Sequence, residues 1–252
     1  MKEQLYMIPL NDAVNANDEC PFCYIERQIE QDLLDFVLGS GSSYMESDIR
    51  EQTDKYGFCR THFKKMFDYG NTLGNGWILK THYKRMMSEF EKQIKSYTPG
   101  RISLKDKFRK DASSNPVSSF IREKETSCYV CNYYNEHYDR YLDTFFFMYK
   151  KDEDFRHRIQ NGKGFCLPHF GDLCTAMESK LSDSERPAFY TMLCELMQRN
   201  LERLSEDVSW LVEKFDYRNK DADWKNSKDA IQRGMQKLKG GYPAEPPYKM
   251  NK

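Results

Sequence analysis

The chain has 252 residues, enough for one large domain or two small ones with a real buried core. Lys plus Arg and Asp plus Glu number 39 each, so the formal net charge is zero. This balance argues against a generic nucleic-acid binder, which usually carries a basic excess.

The chain shows neither a membrane-spanning pattern nor a secretory leader. No apolar run approaches the ~20 residues that span a bilayer, and residues 1–10 hold a single Lys and no long apolar segment. We therefore expect a cytoplasmic, reducing environment, in which the eight cysteines favour metal binding over disulfides.

The first half, residues 1–98, is predicted to be helical after an irregular lead-in at 1–17 that contains Pro9. Apolar residues at helical spacing begin at Cys20, where Pro21 suits a first helical turn. The inward positions of this helix are predicted to be Ile25, Ile29, Leu33, Phe36 and Val37. Three more helices are expected at about 46–55, from Cys59 with His62, Phe63, Met66 and Phe67 inward, and at about 77–97 after a turn at 70–76.

Residues 99–117 have the composition of a solvated linker. They contain Pro99-Gly100, the stretch 113–116 (Ser-Ser-Asn-Pro), and a short basic run of Lys105, Lys107, Arg109 and Lys110. The alternative, a phosphate-contacting patch, lacks interleaved aromatic residues for stacking.

The second half, residues 118–214, repeats the same order of elements. A helix capped by Thr126 or Ser127 is followed by a short helix at 153–159, a helix from Cys166, and a long helix from Arg186 that carries Tyr190, Leu193 and Met197 inward. Residues 215–252 form a tail with one short helix, capped by Asn226 or Ser227 and ended by Gly240-Gly241. The fold class is thus all-α, with two related helical halves and a C-terminal helical tail.

A composite cysteine motif occurs once in each half. C-x2-C at 20–23 precedes G-F-C-x2-H-F at 57–63, and C-x2-C at 128–131 precedes the same phrase at 164–170. Cys23 and Cys59 are separated by 35 residues in the first half, and Cys131 and Cys166 by 34 in the second. The equal spacing indicates a duplication of about 100 residues.

Each composite motif supplies three thiolates and one imidazole, the closed ligand set of a structural zinc site. Because each half contains one complete set, we predict that the sites form within the halves, with two Zn2+ per chain. The predicted ligands are Cys20, Cys23, Cys59 and His62 in the first half, and Cys128, Cys131, Cys166 and His169 in the second. Free thiols, disulfides formed on oxidation, and iron in place of zinc are the alternatives.

The remaining candidates have simpler interpretations. Cys174 and Cys194 lie on apolar stripes and are predicted to be small core residues. His82 lies on the stripe of a long helix and is predicted to be a core histidine. No phosphate loop, nucleophile elbow or pair of catalytic carboxylates is present as a motif, so no catalytic residue is assigned.

Further phrases resemble an uncharacterised bacterial family of unknown function. These are residues 43–46 (Ser-Tyr-Met-Glu) with Arg50, the cysteine motifs themselves, 215–219 (Phe-Asp-Tyr-Arg-Asn), Trp224, and 227–230 (Ser-Lys-Asp-Ala). The resemblance extends over nearly the whole chain. It implies one intact unit and assigns no reaction.

The pattern favours a helical zinc protein that serves as a binding or adaptor module for an unknown protein partner or small ligand. The alternative is a thiol-redox or oxidation-sensing protein, since C-x2-C at a helix start lowers thiol pKa values. Nucleic-acid binding through the linker and tail is the weakest alternative, because the charge is balanced.

Overall fold

The computed structural model describes residues 4–41, 43–98 and 115–243. Within these residues there are eleven α-helices and two short 3-10 turns at Ser43–Met45 and Tyr217–Asn219, and no strand, which confirms the predicted all-α class. The helices are α1 (Gln4–Asn15), α2 (Pro21–Leu38), α3 (Ser47–Tyr56), α4 (Arg60–Tyr69), α5 (Thr72–Ser96), α6 (Pro116–Thr126), α7 (Tyr129–Lys151), α8 (Glu153–Asn161), α9 (Leu167–Lys180), α10 (Arg186–Glu213) and α11 (Ala230–Lys239).

The chain forms two compact units. In its described part, unit 1 comprises residues 4–29 and 136–243, and unit 2 comprises residues 30–135 without the gaps. The boundaries fall inside α2 and inside α7, so both units contain segments from both sequence halves. The two compact units therefore do not coincide with the two sequence repeats.

Unit 2 is built around α5, which packs against α3, α4 and α6. Asn71 caps α5 by accepting a hydrogen bond from the Gly74 backbone N–H at 2.9 Å. The C-terminal part of α2 supplies apolar side chains to this core, and Tyr69 on α4 donates its hydroxyl to Asp35 at 2.5 Å. The most buried apolar residues of the unit include Leu34, Val37, Leu38, Met66 and Ile78.

Unit 1 has an aromatic core. Phe145 of α7 lies at its centre, with ring centroids 5.4–5.8 Å from four other phenylalanines, namely Phe22, Phe146, Phe155 and Phe165. Such contacts stabilise by about 0.5–1.5 kcal/mol per pair beyond area burial. Helix α10 packs against α8, α9 and α11, and closes this core.

The lead-in predicted at 1–17 is wrong, because helix α1 occupies most of it. Its Leu10 and Ala13 are fully buried, and it packs on α8. The Arg158 guanidinium donates to the side-chain oxygens of Asn11 at 2.8 Å and Asn15 at 2.9 Å. This packing outweighs the cost of Pro9, which removes one hydrogen bond inside the helix.

Two other boundaries differ from the prediction. Helix α6 begins at Pro116, within the predicted linker, and Asn115 caps it by accepting from two backbone N–H groups. Residues 99–114, with the basic run, lie outside the described residues. Helix α5 begins at Thr72 rather than near Trp77, so the stretch predicted as a turn at 70–76 is mostly helical.

Several residues predicted to be inward are exposed instead. Phe67 is 79% exposed and Phe36 is 47% exposed, whereas their neighbours Met66 and Val37 are buried. Helical spacing alone does not separate positions one residue apart at the edge of an apolar stripe. No helix in the described ranges combines the length and the apolar character needed to cross a bilayer.

Candidate metal centres

The eight predicted ligands lie at four helix starts. Cys59 and Cys166 are the N-caps of α4 and α9, with extended backbone and no side-chain capping bond. Cys20 and Cys128 stand just before α2 and α7, where their carbonyls accept from the N–H groups four residues on. The second donor of each pair follows three residues later, so both side chains face the same way.

These donors gather into two groups of four. The α2–α9 cluster, in unit 1, consists of Cys20, Cys23, Cys166 and His169. Its Sγ atoms lie 3.1–3.5 Å from His169 Nδ1, and the Cys23 and Cys166 sulfurs are 3.6 Å apart.

The second group, the α4–α7 cluster, lies in unit 2 and consists of Cys59, His62, Cys128 and Cys131. Its Sγ atoms lie 3.1–3.4 Å from His62 Nδ1. The sulfurs of Cys59 and Cys131 are 4.0 Å apart. The two clusters thus have the same donor atoms and nearly the same spacing.

The predicted pairing of the motifs within each half is wrong. Each C-x2-C joins the C-x2-H of the other half, so Cys20 meets His169 and Cys128 meets His62. Both pairings give Cys3His, and the sequence spacing does not distinguish them. The α7 start is held at the α4 start by a backbone bond from the Tyr129 N–H to the Gly57 carbonyl at 2.8 Å.

The donor spacing fits a tetrahedral zinc ion. A regular tetrahedron with Zn–S of about 2.3 Å and Zn–N of about 2.0 Å has S–S edges of about 3.8 Å and S–N edges of about 3.5 Å. One S–S separation in each cluster is 3.6 or 4.0 Å, the S–N separations are 3.1–3.5 Å, and all donor atoms of each set lie within 4.8 Å of one another. Each set could therefore hold one ion with all four positions filled by protein.

His62 is oriented by a carboxylate. Its Nε2 lies 2.8 Å from Glu30 Oε1, both groups are buried, and Lys65 forms an ion pair with the second Glu30 oxygen. Burial opposes protonation of His62, but the hydrogen bonds to Cys128 and Glu30 outweigh it and raise its pKa to about 10. With Nδ1 used as a metal ligand, Nε2–H would donate to Glu30, as carboxylates do behind ligating histidines.

His169 lies between aromatic rings. Its ring centroid is 5.5 Å from that of Phe22 and 5.6 Å from that of Tyr138. Burial lowers its pKa, while the hydrogen bond to Cys20 and the charges of Glu26 and Asp172 raise it, and the net shift is upward. The two histidines thus direct the same nitrogen, Nδ1, toward the cysteine sulfurs but have different surroundings.

One thiolate in each cluster is stabilised by its neighbours. Hydrogen bonds from Cys20 and Cys23 lower the pKa of Cys166 to about 4, and the pKa of Cys23 is raised in return. A hydrogen bond from Cys131 likewise lowers the pKa of Cys128 to about 3. Since thiolate is the form that binds metal, each cluster already favours a charged ligand.

Sequence reasoning missed Lys237, which lies in the predicted tail. Its ammonium is 1% exposed and donates to the carbonyls of Glu19 and Lys163 at 2.6 Å each. It also lies 3.1 Å from the Glu19 carboxylate, which Arg203 holds at 2.6 Å. Lys237 thereby connects the chain before α2 to the chain before α9.

The end of α11 lies against the α2–α9 cluster. A Cβ placed on Gly240, at φ +78°, would be 3.6 Å from the sulfurs of both Cys23 and Cys166. The Lys237 charge contributes to lowering the pKa of Cys166. The tail helix therefore covers this cluster and brings a positive charge to its thiolates.

The two cysteines outside the clusters are half-buried rather than fully buried. Cys174 is on α9 and Cys194 is on α10, and no bond between them is formed. The imidazole of His82 has its Nδ1 2.9 Å from the Asp54 carbonyl. These residues are not among the clustered donors of the described part of the chain.

The fold and the two centres define an all-α protein with paired Cys3His clusters that could each bind a metal ion. The chain belongs to a family of unknown function (DUF6062), whose family model matches residues 1–245. No curated protein and no solved structure matches the chain. The match confirms the resemblance drawn from the sequence and assigns no activity.

Proposed function

We propose that the protein is a zinc-binding helical scaffold with two structural Cys3His sites that acts as a binding or adaptor module. The observation that carries the metal role is the gathering of eight donors into two sets with tetrahedral spacing. Thiolate and imidazole together suit zinc, and a set with four protein ligands is typical of a structural site.

The energetics support an architectural role for the ions. Structural zinc contributes roughly 10–16 kcal/mol in small finger peptides, whereas a whole domain is typically stable by about 5–15 kcal/mol. Each cluster joins helix starts that are far apart in sequence, such as Cys23 and Cys166, 143 residues apart. Even part of the free energy of zinc binding would therefore decide whether these helix starts stay together.

The surface of α11 supports a binding role. Three of its four buried residues are polar, namely Arg233, Gln236 and Lys237, and the fourth is Ala230. On its outward face, Ile231 and Met235 are 45% and 54% exposed. An outward apolar face beside buried charge is the reverse of an ordinary surface helix. We propose that a protein partner binds this outward face of α11.

Metal content is the primary test. Protein purified without added metal should carry about two zinc ions per chain, and a chain with no metal and freely titratable thiols would refute the proposal. The half-buried but unclustered Cys174 and Cys194 should be replaced by serine first, so that the thiols counted are those of the clusters.

The crossed pairing gives a second test. In Cys59→Ser, hydrogen exchange should increase at the start of α7, around Cys128 and Cys131, and not at the start of α2. Cys166→Ser is the matched variant and should loosen the start of α2, around Cys20 and Cys23. Loosening confined to the sequence half that carries the substitution would contradict the crossed arrangement.

A charge on the outward face of α11 tests the adaptor role. Met235→Glu should remove the partner recovered by affinity capture, with Lys239→Glu as the control on the same exposed helix end. Equal recovery by wild type and Met235→Glu would show that this face does not bind the partner.

A further inference from the structure

The two clusters differ in their access to solvent. All three cysteines of the α2–α9 cluster are fully buried, at 0% exposure. In the α4–α7 cluster Cys128 is also fully buried, but Cys59 and Cys131 are only half-buried. The two clusters have the same donor atoms, but their cysteines therefore differ in accessibility to a dissolved reagent.

The chain segments next to the two clusters also differ. Gly240 at the end of α11 lies against Cys23 and Cys166, and Lys237 anchors that helix. In unit 2, Ser127 is the C-cap of α6 and immediately precedes Cys128, and its hydroxyl donates a hydrogen bond to the Tyr56 carbonyl at 2.8 Å. Cys128, the residue after Ser127, is fully buried, whereas Cys59 and Cys131 keep partial exposure.

The half-buried edge of the α4–α7 cluster, formed by Cys59 and Cys131, holds two sulfurs close to each other. The Cys59 and Cys131 Sγ atoms are 4.0 Å apart and belong to different helix starts. A disulfide needs a sulfur separation of about 2.05 Å, so a local approach of about 2 Å would join them. Access to solvent is one of the factors that determine which cysteines react with an oxidant, and in the described part of this cluster Cys59 and Cys131 are the partly accessible cysteines.

We propose that Cys59 and Cys131 are a thiol-oxidation site for hydroperoxides, while the α2–α9 cluster stays reduced. The zinc-release measurement for this inference rests on the proposed function. The formation of the disulfide concerns the thiols themselves. The first thiolate attacks the peroxide, the O–O bond breaks, and a sulfenic acid forms as the leaving oxygen takes a proton.

The second thiolate then attacks the sulfenic sulfur. The S–S bond forms, and the hydroxide that leaves takes a proton to become water. In total, two thiolates, one hydroperoxide and two protons give one disulfide, one alcohol or water, and one water. The sulfurs lose two electrons and the peroxide gains them.

This reaction removes two of the four ligands from the α4–α7 cluster. A disulfide between Cys59 and Cys131 still connects the start of α4 to the start of α7, so the two segments stay near each other. A thiol reductant would then restore the same four donors. The α4–α7 cluster is thus suited to release its metal ion reversibly, while the α2–α9 cluster in unit 1 retains its metal ion.

The test uses the full chain, loaded with zinc, in a Cys174→Ser/Cys194→Ser background. About one equivalent of hydrogen peroxide is added, disulfides are mapped by peptide mass spectrometry, and released zinc is followed with an indicator dye. We expect one of the two ions to be released, a Cys59–Cys131 link to form at least about tenfold faster than any link among Cys20, Cys23 and Cys166, and zinc to rebind after reduction.

Equal rates of oxidation at the two clusters, or a first disulfide within the α2–α9 cluster, would overturn the inference. Cys131→Ser is the matched variant and should abolish the fast disulfide. Disulfide mapping does not require bound metal. A chain that purifies without zinc therefore refutes the proposed function, while the order of disulfide formation still decides the present inference.

Discussion

Replacement of the buried Lys237 by methionine is expected to destabilise unit 1. Methionine fills a similar volume but leaves the carbonyls of Glu19 and Lys163, each 2.6 Å from the ammonium, without their donor. A buried acceptor without a partner costs about 1–3 kcal/mol. The Glu19 carboxylate keeps Arg203 at 2.6 Å, so it does not become an unpaired charge.

Two acceptors that each cost an amount near the lower end of this range give an expected loss of about 3 kcal/mol, which is at the lower limit of the 3–5 kcal/mol typical when one partner of a buried pair is removed. It should be measured on zinc-loaded protein by denaturant unfolding and by hydrogen exchange of α11 and of the start of α2. Lys239→Met is the control, because Lys239 is exposed on the same helix and its loss should change stability by no more than about 0.5 kcal/mol.

A free energy of unfolding for Lys237→Met within about 0.5 kcal/mol of the wild-type value would refute this expectation. Equal hydrogen-exchange rates in α11 for Lys237→Met and Lys239→Met would also refute it. Either result would mean that the connection from the tail helix to the α2–α9 cluster contributes little to holding unit 1 together.

Two further variants probe unit 2. Glu30→Gln weakens the hydrogen bond behind His62 and should lower zinc affinity at the α4–α7 cluster by about 10–100-fold, with the other cluster as internal control in a competition titration. Gly57→Ala should destabilise unit 2 by about 3 kcal/mol, because its φ is +58° and the new Cβ would be 2.8 Å from His82. The control Gly76→Ala, in open helical space, should instead stabilise by about 0.5–1 kcal/mol in thermal unfolding, and matched Tm values for the two alanine variants would refute the steric argument.

The helices around the cysteine motifs were predictable because their local signals agree. Pro21 suits a first turn, Gly57 and Gly164 adopt positive φ before each C-x2-H, and the short helix before each such glycine is present in both halves. Helix α1 was not predictable from local pattern, because Pro9 and several polar residues argue against it. Its stability comes from contacts with α8 that are distant in sequence.

The eight donor residues were predictable from the sequence, but their division between the two clusters was not. Closing a loop between Cys23 and Cys166, 143 residues apart, instead of over 35 residues costs only about 1.2 kcal/mol more in chain entropy. Such a difference is small beside zinc binding or the packing of two helices. Local spacing therefore favoured the nearer partner, and tertiary packing determined the actual one.

Lys237 and Glu30 illustrate a second limit. A lysine near the end of an amphipathic helix and a glutamate within one are ordinary surface residues by pattern. Their role depends on contacts with Glu19 in one case and His62 in the other, which no periodicity encodes. For Lys237 the sequence contains one indirect signal. Three thiolates and one Zn2+ would have a net charge near −1, which a nearby cation would offset.

The crossed arrangement has a consequence for synthesis on the ribosome. Cys20 and Cys23 emerge early but have no histidine partner until His169 has been made, and Lys237 follows later still. The α4–α7 cluster, by contrast, has all its donors once Cys131 has emerged. The nascent chain can thus complete its more exposed centre first, while the earliest thiols wait unmatched for most of translation.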